Sequence, residues 1–159
     1  MTLRILFVKL SDQRHRLVLH RAGSGVEQAE LETRSYLLHD LVHWAVEAES
    51  GIGDGFWGLL ANGTTLDALA DRTMADPPSS GLALAERLVG PFQSLFAGRL
   101  ARELYLEQAR GTAPFVDGAW IERVLTRLRK LTGAWRAVPF SQALELDWPP
   151  SAEPRVVRP

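Results

Sequence analysis

VEQAELETRSYLLHDLVHWAVE, residues 26–47, contains the point at which the hydrophobic pattern of this chain changes its period. Residues 29–32 alternate apolar and polar side chains, as a strand with one solvated face does. From Ser35 onward, apolar residues recur at helical spacing as far as Glu49, and Gly51 predicts the end of this helix. The chain therefore predicts strands first and helices afterwards, which is typical of the α+β class.

The residues before this stretch predict two further strands. Residues 3–8 are rich in β-branched and aromatic side chains, and residues 16–21 form a second, imperfectly alternating run. The links between the three runs are short, as in an antiparallel meander. We therefore expect a three-stranded antiparallel sheet at the N-terminal end of the fold.

The rest of the chain has a mainly helical pattern. Apolar residues recur at helical spacing in residues 54–61, in residues 81–110 and after Asp117, which is placed to cap the last helix. Gly90-Pro91 predicts a kink or a break, and Gly133 predicts the end of the last helix. We expect a bundle of four to six helices after the sheet.

The C-terminal region predicts one more strand and a tail. Residues 143–148 alternate apolar and polar side chains and predict a late edge strand. Residues 149–159 contain four prolines, which favours a flexible tail. The sequence therefore predicts a single globular domain over residues 1–148, followed by this tail.

Composition excludes several classes of protein. The chain has 159 residues, 46% of them hydrophobic, so it can bury a sizeable core. It contains no cysteine, which excludes disulfides, thiolate metal sites and cysteine nucleophiles. The net charge of −1 and the absence of a long apolar run predict neither a nucleic-acid partner nor a membrane partner, and they favour a cytoplasmic location. Only Lys9 and Lys130 among the 18 basic residues are lysine, a bias typical of genome composition in some bacteria.

The near-neutral charge is the sum of unlike segments. Residues 36–80 carry seven acidic residues against one arginine, whereas residues 81–136 carry nine basic residues against five acidic ones. The two segments could simply complement each other within the fold. The alternative is an acidic pocket that holds a cation.

The acidic segment contains a polar stripe with metal-binding chemistry. His39, His43 and Glu47 follow one another at i, i+4 and i+8, and Asp40 lies beside them. Two histidines one turn apart can bind a single divalent ion such as zinc, with Glu47 as a third ligand or as a catalytic base. Asp40 is a further ligand or a partner that orients a histidine. An ordinary polar face of an amphipathic helix is the alternative interpretation.

The string His39-Asp40-Leu41-Val42-His43 resembles part of the metal motif of a helical coenzyme Q biosynthesis family. Gly55 stands where the pattern of that family continues to a glutamate. The His-Asp doublet also resembles the HD-domain phosphohydrolases, whose other ligands are His and Asp residues on further helices. The remaining histidines here, His15 and His20, lie in predicted strands, and neither function is assigned to this chain.

Two functions therefore remain open at the level of sequence. The first is a divalent-metal-assisted hydrolase or lyase in which His39, Asp40, His43 and Glu47 bind the metal and Glu47 also acts in catalysis. The second is a non-catalytic binding module that forms a homodimer or larger homo-oligomer through an apolar surface rich in its five tryptophans. No cofactor other than a divalent metal is predicted, and the sequence names no small-molecule ligand.

Two other groups of charged residues have candidate roles. Glu103 and Glu107, one helical turn apart, could add carboxylates to a metal site or pair with neighbouring arginines. Arg123, Arg127 and Lys130 recur along one face of the last predicted helix. This basic stripe could bind phosphate or simply form a solvated helix face.

Overall fold

A computed structural model describes residues 2–70 and 77–159, and it places a five-stranded antiparallel sheet against helices. The chain belongs to the α+β class, as predicted. Its strands are β1 (Leu3–Lys9), β2 (Arg14–Arg21), β3 (Gly25–Glu32), β4 (Ala143–Trp148) and β5 (Arg155–Val157). The described residues also form five α-helices: α1 (Thr33–Ser50), α2 (Phe56–Ala61), α3 (Ser80–Phe96), α4 (Arg102–Ala109) and α5 (Gly118–Ala137).

The N-terminal meander is the core of this sheet, with β1 at its centre. The strand order is β3-β2-β1-β4-β5, so β1 pairs with β2 on one side and with β4 on the other. Ile5 lies opposite Leu19 in β2 and opposite Leu146 in β4, and all three side chains are buried. The predicted three-stranded sheet is therefore present and is extended by two strands from the far end of the chain.

The predicted late strand is β4, but it does not lie at the sheet edge. Arg155–Val157 pair with Ala143–Glu145, so β5 occupies that edge. The expectation of a flexible tail over residues 149–159 does not describe these three residues. Arg155 and Arg4 both form ion pairs with Glu145, whose side chain is almost fully buried on the face of the sheet away from the helices. These pairs tie β5 and β1 across β4.

Helix α1 packs between the sheet and the other helices. It contacts α3 and α5, and nearly every residue from Leu37 to Glu47 is at least half-buried. Leu41, Val42 and Val46 have no exposed surface, and the polar residues between them are buried with them. Most of the polar stripe of α1 therefore faces protein, and its N-terminal end at His39 reaches solvent.

Two helix boundaries differ from the predictions. Pro91 lies inside α3, so the helix does not break at Gly90-Pro91. The backbone carbonyl that a proline at this position leaves without a helical partner belongs to Arg87, which is exposed to solvent. The chain instead turns after Phe96, where Gly98 adopts φ +74°. Helix α5 continues past Gly133 to Ala137, because Trp135 packs against the core beyond that point. Asp117 caps α5 as predicted, accepting a hydrogen bond from Trp120 N at 2.8 Å.

The tryptophans contribute to the core and do not form an apolar surface. Trp44, Trp57, Trp120 and Trp148 are each at most 5% exposed, and Trp135 is half-buried. The prediction of a tryptophan-rich surface is therefore wrong, because these large side chains fill the space between the sheet and the helices. None of the helices among the described residues has the length and apolar character of a membrane span.

Candidate metal centre

The stripe of α1 is buried toward its C-terminal end and reaches solvent at its N-terminal end. The side chains of Asp40, His43 and Glu47 have no exposed surface, whereas His39 is 19% exposed. Buried ionisable groups need polar partners, because moving an unpaired charge from water into the protein interior costs roughly several kcal/mol. The partners of these residues define the site.

Glu47 binds the start of α2. Its Oε1 accepts a hydrogen bond from Phe56 N at 2.7 Å, and its Oε2 accepts one from Trp57 N at 3.1 Å. The first backbone N–H groups of a helix have no partner within the helix, and Gly55 provides no side-chain cap for them. Glu47 therefore caps α2 from a neighbouring helix.

Gly55 makes this arrangement sterically possible. A Cβ atom at residue 55 would lie 2.4 Å from Glu47 Cδ and within 2.7 Å of both carboxylate oxygens. Only glycine allows the carboxylate to approach the backbone this closely. The glycine-rich loop of residues 51–55 thus serves to bring α2 back onto the end of α1.

Glu47 also orients His43. Its Oε1 lies 2.9 Å from His43 Nδ1, and both side chains are fully buried. This contact fixes one ring nitrogen and leaves Nε2 facing the opposite direction. Helix α3 supplies the group on that side, because Glu86 Oε1 lies 3.2 Å from His43 Nε2, without the alignment of a hydrogen bond.

The two carboxylates favour a protonated His43. Burial alone would lower its pKa, but contacts with Glu47 and Glu86 outweigh burial and raise the pKa of His43 to about 9. Burial also raises the pKa of Glu47 above its ordinary value. His43 and the two backbone N–H groups that donate to Glu47 oppose this rise, because they favour its carboxylate form.

Among residues 2–70 and 77–159, one group of side chains has donor atoms close enough together to hold a metal ion. Its members are His39, His43 and Glu86. One donor atom from each lies within 4.8 Å of the other two. Zinc bonds of about 2.0–2.1 Å place tetrahedral donors roughly 3.3 Å apart, close to the 3.2 Å between His43 Nε2 and Glu86 Oε1. The donor atom of His39 lies within 4.8 Å of the other two, so it would have to approach by up to about 1.5 Å to complete such a site. Glu86 is 30% exposed and His39 19%, so an ion could enter from their side.

The structure brings together two of the four residues predicted as ligands. Glu47 and Asp40 do not belong to the three-residue group. Asp40 is fully buried, and its Oδ1 lies 3.6 Å from His39 Nδ1. Each histidine of the group therefore has a carboxylate beside its Nδ1 atom.

Glu86 is the member of the group that sequence reasoning missed. It lies on the same face of α3 as three buried residues, Leu82, Ala85 and Val89. A carboxylate on the apolar stripe of an amphipathic helix is unusual, and this position is the feature of the sequence that could have identified Glu86 as a candidate site residue. Glu103 and Glu107 on α4, considered as additional carboxylates, are not part of the group.

The geometry provides two nitrogen donors and one oxygen donor from two helices. Such a set suits zinc and similar divalent ions, and three protein ligands leave a coordination position for water or substrate. Comparisons of the chain with protein-family models, with curated proteins and with solved structures found no significant match.

Proposed function

We propose that this protein binds one divalent metal ion, zinc or a similar ion, through His39, His43 and Glu86, and uses it in a hydrolase or lyase reaction. The observation that supports this proposal is the convergence of donor atoms from α1 and α3 within 4.8 Å of one another. A zinc ion with three protein ligands and one open position lowers the pKa of a bound water and polarises a bound oxygen.

In this proposal Glu47 is a positioning residue and not the catalytic base. Both of its oxygens bind backbone N–H groups of α2, and its side chain has no exposed surface. Its hydrogen bond with His43 Nδ1 leaves Nε2 as the metal-binding atom. A carboxylate that binds the second nitrogen of a metal-bound histidine fixes the ring and strengthens its donation.

Asp40 has the same relation to His39. Its carboxylate lies 3.6 Å from His39 Nδ1, so a small ring rotation would produce a hydrogen bond. The backbone carbonyl of Asp40 accepts a hydrogen bond from Trp57 Nε1 at 3.1 Å, which ties this part of α1 to α2. We therefore assign Asp40 to support of His39 rather than to the metal itself.

Metal binding is tested by calorimetric titration of zinc into protein stripped of metal. We expect one equivalent to bind, and we expect Glu86→Gln and His39→Ala to lose at least about tenfold in affinity, because each variant removes one donor. The matched controls are Glu107→Gln, an exposed carboxylate on α4, and His20→Ala, a histidine on β2 outside the group. Equal affinity in all five proteins would refute the site.

These variants avoid a confusion between binding and folding. His43 is fully buried between two carboxylates, so its replacement perturbs packing as well as metal binding. Glu86 and His39 are partly exposed, and Gln retains the shape of Glu. Circular dichroism of each variant confirms that loss of zinc is not loss of structure.

The enzymatic half of the proposal depends on an open coordination position. Cobalt(II) substituted for zinc gives a visible absorption spectrum that reports its ligands, and azide is a small anion that binds an open position. We expect azide to change the spectrum of the cobalt protein. A spectrum that does not respond to azide indicates a closed structural site and refutes the hydrolase or lyase reading.

The alternative of a self-associating binding module has less support. It relied on an apolar tryptophan-rich surface, and four of the five tryptophans are buried in the core. Self-association itself remains a prediction. Light scattering over a range of protein concentrations tests it, and a constant monomer mass would contradict it.

A further inference from the structure

A cavity beside α1 is lined by residues that do not belong to the metal group. Its volume is about 410 Å³, and it is bounded by α1, by α5 and by residues 152–154. The lining includes Trp44 and Glu49 of α1 together with Arg123, Arg127 and Lys130 of α5. The predicted basic stripe therefore forms one wall of a cavity of a size that holds small organic ligands.

Glu49 holds the two arginines in place. Its oxygens accept hydrogen bonds from Arg123 Nε at 3.1 Å and from Arg127 Nε at 2.5 Å. Although burial opposes it, these contacts lower the pKa of Glu49, so its carboxylate is charged at neutral pH. Each arginine donates to Glu49 through its Nε atom. A guanidinium has four further N–H donors on its two terminal nitrogens, which can bind another anion. This Arg-Glu-Arg group carries one net positive charge.

Lys130 adds a third cation at the same wall. It forms an ion pair with Glu153, and both side chains are more than half exposed. An exposed ion pair contributes little stability, so an incoming anion can replace Glu153 at small cost. Three cations at i, i+4 and i+7 then face one side of the cavity.

The rest of the lining is mostly apolar, and its polar members are Thr126 and Glu122, whose carboxylate forms an ion pair with Arg102. Trp44 Nε1 donates to the Asp147 carbonyl at 3.1 Å, and the Arg127 guanidinium lies 5.6 Å from the centre of the Trp44 ring. Leu131 and Pro154 lie on the cavity wall as well. The cavity therefore combines a side of three cations, each paired with a carboxylate of the wall, with an apolar side.

We propose that this cavity binds a small organic phosphate, with its phosphate group on Arg123, Arg127 and Lys130 and its apolar part against Leu131 and Pro154. Arginine forks match phosphate geometry and bind it through paired, charge-assisted hydrogen bonds. The site is separate from the metal group, because no residue that lines the cavity belongs to that group. The proposal does not depend on the proposed metal chemistry.

Phenyl phosphate is a suitable probe, because it has one phosphate and one apolar ring. Binding is measured by calorimetry and by the amide and indole resonances of a ¹⁵N-labelled protein, in which Trp44 Nε1 reports on the cavity. We expect Arg123→Gln and Lys130→Gln each to weaken binding by about tenfold, as the loss of one charge-assisted hydrogen bond implies. Both side chains are more than half exposed, so both variants should remain folded.

Two further variants separate ligand binding from general charge. Arg129→Gln removes an exposed cation of α5 that does not line the cavity, and it should leave binding within about twofold of the parent protein. Glu153→Gln releases Lys130 and should tighten binding, an effect opposite in sign to any loss of structure. Benzoate in place of phenyl phosphate should bind at least about tenfold more weakly.

Three results would overturn the proposal. The first is an absence of any resonance change at millimolar phenyl phosphate. The second is an equal loss of affinity in Arg129→Gln and Arg123→Gln, which would indicate unspecific attraction to a basic helix. The third is equal affinity for benzoate, which would exclude a phosphate-selective site.

Discussion

Three glycines in the loop between α1 and α2 should respond to alanine in three different ways. Gly55→Ala places a Cβ 2.4 Å from the Glu47 carboxyl carbon and pushes that group away from α2. Overpacking of this kind costs about 1–3 kcal/mol, and each hydrogen bond weakened at Phe56 N or Trp57 N costs about 1 kcal/mol more. We therefore expect a loss of about 2–5 kcal/mol in the free energy of unfolding, depending on whether one or both hydrogen bonds weaken.

The other two glycines are internal controls. A Cβ at Gly53 meets no atom within 4 Å, so Gly53→Ala should change the free energy of unfolding by less than about 1 kcal/mol. Gly51 adopts φ +64° at the end of α1, so Gly51→Ala should cost about 1–2 kcal/mol through backbone strain alone. Gly55→Ala should therefore be the most damaging of the three.

Urea unfolding followed by tryptophan fluorescence measures the series, because Trp57 is fully buried beside the loop. The difference in the free energy of unfolding between variants is calculated from their urea midpoints, with one common value for the dependence of that free energy on urea concentration. If Gly55→Ala is no more destabilising than Gly53→Ala, Glu47 does not pack against the start of α2 as described, and its positioning role for His43 fails with it.

Three further predictions concern other parts of the molecule. Arginine contacts lower the pKa of Glu49 in the folded state, so its carboxylate stabilises the fold above its unfolded pKa, and this contribution is lost as the pH falls through its folded pKa. Glu49→Gln should therefore be less stable than the parent protein at pH 7. The urea midpoints of the two proteins should converge on acidification. Burial lowers the pKa of His15 below 6.5, so the unfolded state binds more protons at this residue than the folded state does. The parent protein should therefore lose stability relative to His15→Gln as the pH falls below 6.5. Urea midpoints of the two proteins that change equally with pH would contradict this prediction. Asp117→Ala should cost about 1 kcal/mol through loss of the α5 cap, as measured by thermal unfolding, and Asp117→Ser should restore most of it.

Local signals predicted most of the fold. The alternation in residues 29–32 and the β-branched run in residues 3–8 identify strands because a half-buried strand needs that pattern over a few residues. Asp117 predicts a helix start because its side chain bonds a backbone N–H only three residues away. Strand β5 gave no such signal, since three residues between prolines are too few to show a period.

The candidate site was predictable only in part. His39 and His43 are one turn apart on a single helix, so their proximity follows from helix geometry alone. Glu86 lies on another helix, and its position depends on how α1 and α3 pack, which no local pattern determines. Glu47 was predicted to face the metal, but the fold brings the start of α2 to its oxygens instead.

The central position of β1 has a consequence for the order in which the chain folds. Its pairing with β2 needs only a short turn, but its ion pair with β4, between Arg4 and Glu145, joins residues 141 positions apart. Contacts between residues so far apart in sequence form late, because the chain loses conformational entropy in closing a large loop before the favourable contact forms. During synthesis on the ribosome, one edge of the apolar strand Leu3–Lys9 therefore stays open until β4 emerges, and an open apolar edge is a site of aggregation and of chaperone binding.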